Sequence, residues 1–232
     1  MKTRLILFDI DGTILLTAGA GRRAIVRALE QEVTDISGFE RVRFDGKTDP
    51  QIVCELLVAA GHPDPENEER IQDVCRRYVS LLELELSGVN GRTTVMPGVT
   101  ALLARLETEP GIMLGLLTGN VAEGAALKLR SASIDPARFR VGAYGSDAAH
   151  RPALPAIAAL RAEPHFGRIP VGHDVVIIGD TPADVTCGRS IGARAIGVAT
   201  GSYSVAQLLE AGAHAAFPDL SDTERVLEVL LP

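Results

Sequence analysis

The chain has 232 residues, 46% hydrophobic and 23% charged, the balance of an ordinary globular protein with one large domain or a core plus a smaller insert. Its formal net charge of −7, from 23 basic and 30 acidic residues, argues against non-specific binding of nucleic acid or anionic lipid. With 4% aromatics and no tryptophan it offers no platform for stacking bases.

Cys54, Cys75 and Cys187 lie far apart without a C-x-x-C pairing, so they form neither a disulfide framework nor a zinc site and suit a reducing compartment. The apolar run at 5–8 is too short for a signal peptide and ends in Asp9. No stretch approaches the ~20 apolar residues that span a bilayer. The expectation is a cytoplasmic protein, monomer or homodimer, with no membrane or nucleic-acid partner.

In chain order, residues 4–8 read as a buried strand, apolar on both faces. The region 16–88 then shows helical patterns at 22–32, 50–60 and 66–86 with no convincing buried strand, broken by Pro63-Asp64-Pro65 and by a Gly- and Pro-containing stretch from 88 to 98. Beyond it, strands are predicted at 112–117, 140–144, 174–178 and, more weakly, 193–198. Helices are predicted at 121–131, 152–162, 183–191, 205–211 and 222–231. The alternation predicts an α/β fold: a Rossmann-like parallel sheet with helices on both faces. The insert after the first strand reads as a small α-helical cap, giving a core of 1–15 and 89–232 and a cap of 16–88. A helical lid over a sheet-based site is the natural use of such an insert.

Three strands end in polar clusters, and ligands of open parallel sheets bind beyond those carboxyl ends. The first cluster is Asp9-Ile10-Asp11-Gly12-Thr13. Asp9 sits at the strand tip, and Asp11 is near enough to serve the same reacting group. Gly12 permits a tight turn with exposed N–H groups, which suits an anion at Gly12 and Thr13. The second is Thr118-Gly119-Asn120, where a hydroxyl and free amides opening a helix could cradle phosphate. By itself that segment is better read as a plain helix cap at Asn120 or Thr118. The third is Gly179-Asp180-Thr181-Pro182-Ala183-Asp184, with Pro182 and Asp184 in a first helical turn. Together these would bring four acids, Asp9, Asp11, Asp180 and Asp184, to one crevice. That is unfavourable without a cation, and hard oxygen ligands of this kind describe a Mg²⁺ site. A positive side chain should meet the phosphate: Arg151 at a helix start is the first candidate, and Lys128, deeper in a helix, the second.

Asp9-x-Asp11-Gly12-Thr13, Thr118-Gly119-Asn120, Arg151 and Gly179-Asp180-x-x-x-Asp184 resemble, in order and strand placement, the four motifs of the haloacid dehalogenase-like hydrolase superfamily. The likeness covers nearly the whole chain and is nearest to the phosphoglycolate phosphatase-like group. It implies Asp9 as the nucleophile taking the phosphoryl group, and Asp11 as the acid that protonates the leaving oxygen and then activates water. It implies Mg²⁺ held by the Asp9 carboxylate, the Asp11 backbone carbonyl and Asp180, with Asp184 direct or through water. Thr118 and adjoining amides would bind phosphate oxygens, and Arg151 would neutralise the phosphoryl charge. The second Asp of the first motif argues against dehalogenase and phosphonate-cleaving activities. The implied partner is a small phosphorylated metabolite of phosphoglycolate or sugar-phosphate type.

Phe44-Asp45-Gly46-Lys47-Thr48-Asp49-Pro50 resembles a loop that related caps point at substrate. Lys47 or Arg43 there could hold a substrate carboxylate or hydroxyl, or the segment could be a solvated loop with Asp49 as helix cap. Arg22 and Arg23 open another cap helix and face either the site or solvent. Two rival readings use the same scaffold: a phosphomutase, which keeps the same motifs, and a non-catalytic module, against which the presence of Asp9, Asp11 and Asp180 argues. A dinucleotide-binding domain is excluded because no G-x-G-x-x-G follows the first strand.

Overall fold

The computed structural model describes residues 3–88 and 92–231. Residues 89–91, where the second core segment was expected to begin, lie outside the described residues. In chain order the elements are β1 (Arg4–Phe8), β2 (Leu15–Leu16), α1 (Ala20–Leu29), α2 (Asp49–Ala59), α3 (Glu68–Ser87), β3 (Thr94–Val95), α4 (Val99–Thr108), β4 (Ile112–Leu117) and α5 (Ala122–Ser131). They continue as β5 (Val141–Ala143), α6 (Leu154–Phe166), β6 (Val175–Gly179), α7 (Pro182–Cys187), β7 (Arg194–Val198), α8 (Val205–Glu210), β8 (Ala215–Phe217) and α9 (Thr223–Leu230).

Six strands form one parallel sheet in the order β5-β4-β1-β6-β7-β8. β1 and β6 are buried at every position, as unbroken apolar runs must be when both faces are covered. Alternate residues of β1 go to opposite faces. Ile6 and Phe8 join Leu102, Leu103 and Leu106 of α4, Leu129 of α5 and Leu230 of α9. Leu5 and Leu7 join Leu154, Ala158 and Ala162 of α6 and Cys187 of α7. Each fully buried Leu, Ile or Phe contributes about 1.5–3 kcal/mol, so these two cores hold the sheet rigid from both sides. Phe8 pairs with Leu116 on one side and Ile178 on the other. That register brings the residues following β1, β4 and β6 out at one edge. The chain steps to β4 on one side of β1 and to β6 on the other, so the crevice opens where the strand order reverses.

The helices α1, α2 and α3 bury Ile25, Leu29, Leu56, Leu57, Val74, Tyr78 and Leu82 in a separate core, which also takes in Val121 from the segment after β4. Thr48 caps α2 by accepting from the Gln51 N–H at 3.2 Å, and Asn67 caps α3 by accepting from the Arg70 N–H at 3.0 Å. Where the chain leaves and re-enters the sheet, β2 and β3 pair antiparallel.

Several elements differ from the sequence reading. The helix α4 and the edge strand β8 were not anticipated, nor was the β2–β3 ribbon. The helix expected at 183–191 is an α-helix to Cys187 followed by a 3-10 turn, Gly188–Ile191, and that expected at 152–162 is a 3-10 turn, Arg151–Ala153, leading into α6.

Candidate active site

Asp9 leaves the end of β1 with its N–H on the Ile178 carbonyl at 2.9 Å, which fixes its backbone in the sheet. Its carboxylate is buried. Arg151, at the 3-10 turn before α6, donates from Nη2 to Asp9 Oδ1 at 2.8 Å, to the Leu117 carbonyl at 3.4 Å and to Asp184 Oδ1. Burial opposes its charge, but Asp184 and Asp9 more than compensate and hold its pKa above the ordinary value. Asp184 Oδ2 accepts from the Thr181 N–H at 3.0 Å and its hydroxyl at 2.6 Å, closing a capping box at the start of α7. The helix start that orients Asp184 is thus also part of the site.

Asp180 ends β6, and the Thr13 hydroxyl donates to its Oδ1 at 3.1 Å. Gly12 has φ +84, and a Cβ there would lie 2.4 Å from Asp180 Oδ2, so only glycine can turn the chain at this point. Oxygens of Asp9, Asp180 and Asp184 all lie within 4.8 Å of one another. Burial pushes the Asp9 carboxyl up to about 7, Arg151 pulls it down, and Asp184 and Asp11 push it up again. Asp180 is pushed up to about 9 by burial, then by Asp184 and Asp9. A hard divalent cation among these oxygens would reverse the sign of that interaction, and an all-carboxylate donor set is the kind Mg²⁺ takes. The nearby Cys187 thiol is pushed up to about 12, first by burial.

Of the four acids expected at one crevice, Asp9, Asp180 and Asp184 cluster through their side-chain oxygens, while Asp11 lines the same cleft with its carboxylate engaged elsewhere. That carboxylate accepts from Lys128 Nζ, 2.7 Å to each oxygen, and from Asn120 Nδ2 at 2.7 Å. The two candidate cations have different partners: Arg151 meets Asp9 and Lys128 meets Asp11.

The segment after β4 is held by the insert. Thr118 is fully buried, and its Oγ1 accepts from the Asn120 N–H at 3.3 Å and from Asn120 Nδ2 at 2.7 Å. Neither Thr118 nor Asn120 caps α5: the cap residue is Val121, whose N–H donates to Asp49 Oδ2 at 2.9 Å. The Asp49 N–H in turn donates to the Gly119 carbonyl at 2.7 Å. Asp49 is thus not the cap of its own helix, a role that belongs to Thr48. It serves the helix across the crevice instead. Burial pushes its carboxyl from the ordinary 3.8 up to about 6, against the pull of Lys128 and of the Val121 amide.

A cleft of about 240 Å³ joins these groups to the insert, whose Ile25, Ile52, Tyr78 and Asp49 form the facing wall. Lys47 lines it, but its Nζ is paired with Glu55. Arg43 does not line it: its side chain is 68% exposed and pairs with Asp45 at 3.1 Å. Arg22 reaches the cleft but is committed to the Phe39 carbonyl at 2.8 Å and stacks on Phe44 at 4.4 Å, while Arg23 pairs with Glu85 at 2.8 Å. The sequence reading missed Asp49 and Tyr78 as cleft residues, and also Gly201 and Ser202, which follow β7 and close the far side. A Cβ on Gly201 would meet Asp180 Oδ2 at 1.9 Å. The pattern Thr-Asp-Pro before a helix signals a helix start and gives no hint that the Asp points across to another element.

A family model described as haloacid dehalogenase-like hydrolase matches residues 3–192. No curated protein matches the sequence. Among solved structures, the chain is similar to a hydrolase from Pseudomonas syringae (TM-score 0.71, 21% identity, 99% of this chain and 100% of that one). It is similar to a protein described as a predicted phosphoglycolate phosphatase from Haemophilus somnus (TM-score 0.70, 19% identity, 97% and 98%). It is also similar to a variant of CbbY from Rhodobacter sphaeroides in complex with xylulose-1,5-bisphosphate (TM-score 0.71, 20% identity, 95% and 96%). At these identities the likeness is one of fold.

Proposed function

We propose that this chain, which belongs to the haloacid dehalogenase-like hydrolase family, is a Mg²⁺-dependent phosphatase of small phosphorylated metabolites, of phosphoglycolate or sugar-phosphate type. The observation that carries the reading is Arg151, buried and bonded to both Asp9 and Asp184 within the three-carboxylate cluster. A lone carboxylate would repel a phosphate dianion. Here a fixed guanidinium stands at the nucleophile, and Gly12 and Thr118 to Asn120 line the space in front of it, while Thr13 lies buried behind, bonded to Asp180.

In the proposed reaction an Asp9 oxygen attacks phosphorus as the bond to the leaving oxygen breaks. Asp11 gives that oxygen its proton. Water then attacks the aspartyl-phosphate, Asp11 takes the water proton, and phosphate leaves with Asp9 restored. Little covalent push is needed for such a transfer, and positioning and charge neutralisation do most of the work. Asp9, Asp180 and Asp184, with the Asp11 carbonyl, would hold Mg²⁺, which supplies further neutralisation of the phosphoryl oxygens. The insert 16–88 acts in this reading as a cap over a core of 1–15 and 89–232, with Lys47 as a substrate-facing residue once released from Glu55. The proposed setting is the cytoplasm, where three unpaired thiols stay reduced.

The test is phosphate release from p-nitrophenyl phosphate, phosphoglycolate and sugar phosphates, with Mg²⁺ and with EDTA. Release should require Mg²⁺ and fall by at least about 10³-fold in Asp9→Asn. Near-normal turnover in that variant would remove Asp9 as nucleophile. Isomerisation of a sugar phosphate without release would replace the hydrolase by a mutase.

A further inference from the structure

Asp11 and Lys128 form an uneven pair. The Asp11 side chain is 42% exposed, whereas that of Lys128, held in α5, is 6% exposed. A lysine at so buried a position costs desolvation energy that an apolar residue would not. What it gains is a fixed ammonium 2.7 Å from both Asp11 oxygens. Asp49, on the insert, also interacts electrostatically with Lys128. An exposed aspartate alone would exchange between rotamers. Gripped by Lys128 and Asn120, it cannot.

We infer that Lys128 is a positioning residue for the acid–base step, and that it works through Asp11 and not on the phosphoryl group. The inference rests on the phosphatase reading. Asp11 Oδ2 takes bonds from both Lys128 and Asn120, whereas Oδ1 takes one from Lys128 only. Oδ1 is therefore the oxygen with lone-pair capacity left for a proton exchanged with the reacting groups. In the first step the Asp9–phosphorus bond forms, the bond to the leaving oxygen breaks, and the Oδ1 proton moves to that oxygen. In the second the water–phosphorus bond forms, the Asp9–phosphorus bond breaks, and the water proton returns to Oδ1. The two cations divide the chemistry, Arg151 with the nucleophile and Lys128 with the acid.

The test compares esters whose leaving groups need a proton to different degrees. Kcat/KM reports transfer to Asp9. In Lys128→Met or Lys128→Gln it should fall about threefold at most on p-nitrophenyl phosphate but about 10–100-fold on phenyl phosphate, a share of the usual general-acid effect. Lys128→Arg should recover most of the loss. In an Asp11→Asn background, Lys128→Met should leave the nitrophenolate release rate unchanged within about twofold, because the group it acts through is gone. Either neutral variant suffices, provided it keeps the wild-type circular dichroism. Equal losses on the two esters, or a full further loss in the Asp11→Asn background, would overturn the assignment. Wild-type protein inert on both esters would overturn the phosphatase reading itself.

Discussion

Asp49 is a carboxylate that the folded protein keeps from water and satisfies with a single backbone N–H, that of Val121 at 2.9 Å. Burial outweighs the pull of Lys128 and of that amide, and the carboxyl rises from 3.8 to about 6. A raised carboxyl favours the protonated folded state. The proton-linked stability is therefore fully present below about 3.8 and lost as pH rises through about 6. Asp49→Asn keeps an oxygen for Val121 but carries no charge. It should gain stability relative to wild type as pH rises from about 4 to about 7, measured by urea unfolding. A constant difference between the two across that range would mean burial is not the dominant influence. Asp49→Ala should instead cost about 1–3 kcal/mol, since the Val121 amide loses its acceptor. At this scale the residues that follow strands were legible: Asp9, Asp180 and Asp184 stand where an apolar run meets a turn. Asp49 was not legible as a site group, and Lys128 was read only as the second candidate to meet the phosphate and not as the partner of Asp11, because each lies on a helix and only the packing of helices across the crevice decides what its side chain meets.

The loop 47–49 and the segment Thr118–Asn120 are pressed together closely enough that Gly119 has no room for a side chain. A Cβ there would stand 2.0 Å from the Lys47 carbonyl oxygen, a backbone atom that cannot swing aside. Gly119→Ala must part the two loops and strain the bonds from Asp49 to Gly119 and from Val121 to Asp49. The expected result is a loss of about 1–3 kcal/mol in urea unfolding. It should also raise the KM for p-nitrophenyl phosphate, because the wall of the cleft moves. Unchanged stability would show that the two loops do not depend on each other. The buried strands were readable as elements because β1, β4 and β6 are continuous apolar runs. β8 was not, since three residues of Ala-Ala-Phe at a sheet edge carry no period. α4 does carry one, Val99, Leu102, Leu103 and Leu106. Its opening by Pro97-Gly98 reads as a break, and Gly98, an αL residue at the N-cap, disguises the helix start as a turn.

Across the whole molecule, the sheet and the insert each have their own core, and the acidic crevice lies where they meet. The parallel sheet and the helical insert were both readable from the alternation of patterns along the chain. How the insert closes on the sheet was not, because that depends on contacts such as Asp49 with Val121 that have no local signature. The crevice also links stability to metal and pH. Asp9 and Asp180 have carboxyls raised to about 7 and about 9, so their proton-linked stability is present below the ordinary 3.8 and lost as pH rises through those values. In EDTA the melting temperature should therefore fall as pH rises from about 6 to about 9. Mg²⁺ needs the same carboxylates ionised, so its contribution should run the other way. At about 100 times its dissociation constant it adds about 2.7 kcal/mol, a rise of roughly 5–10 °C for a chain of this size. The gap between Mg²⁺ and EDTA melting curves should widen from about pH 6 to about pH 8.5 and shrink sharply in Asp180→Asn. A gap independent of pH, or one that survives intact in Asp180→Asn, would mean the ion binds elsewhere than among these three carboxylates.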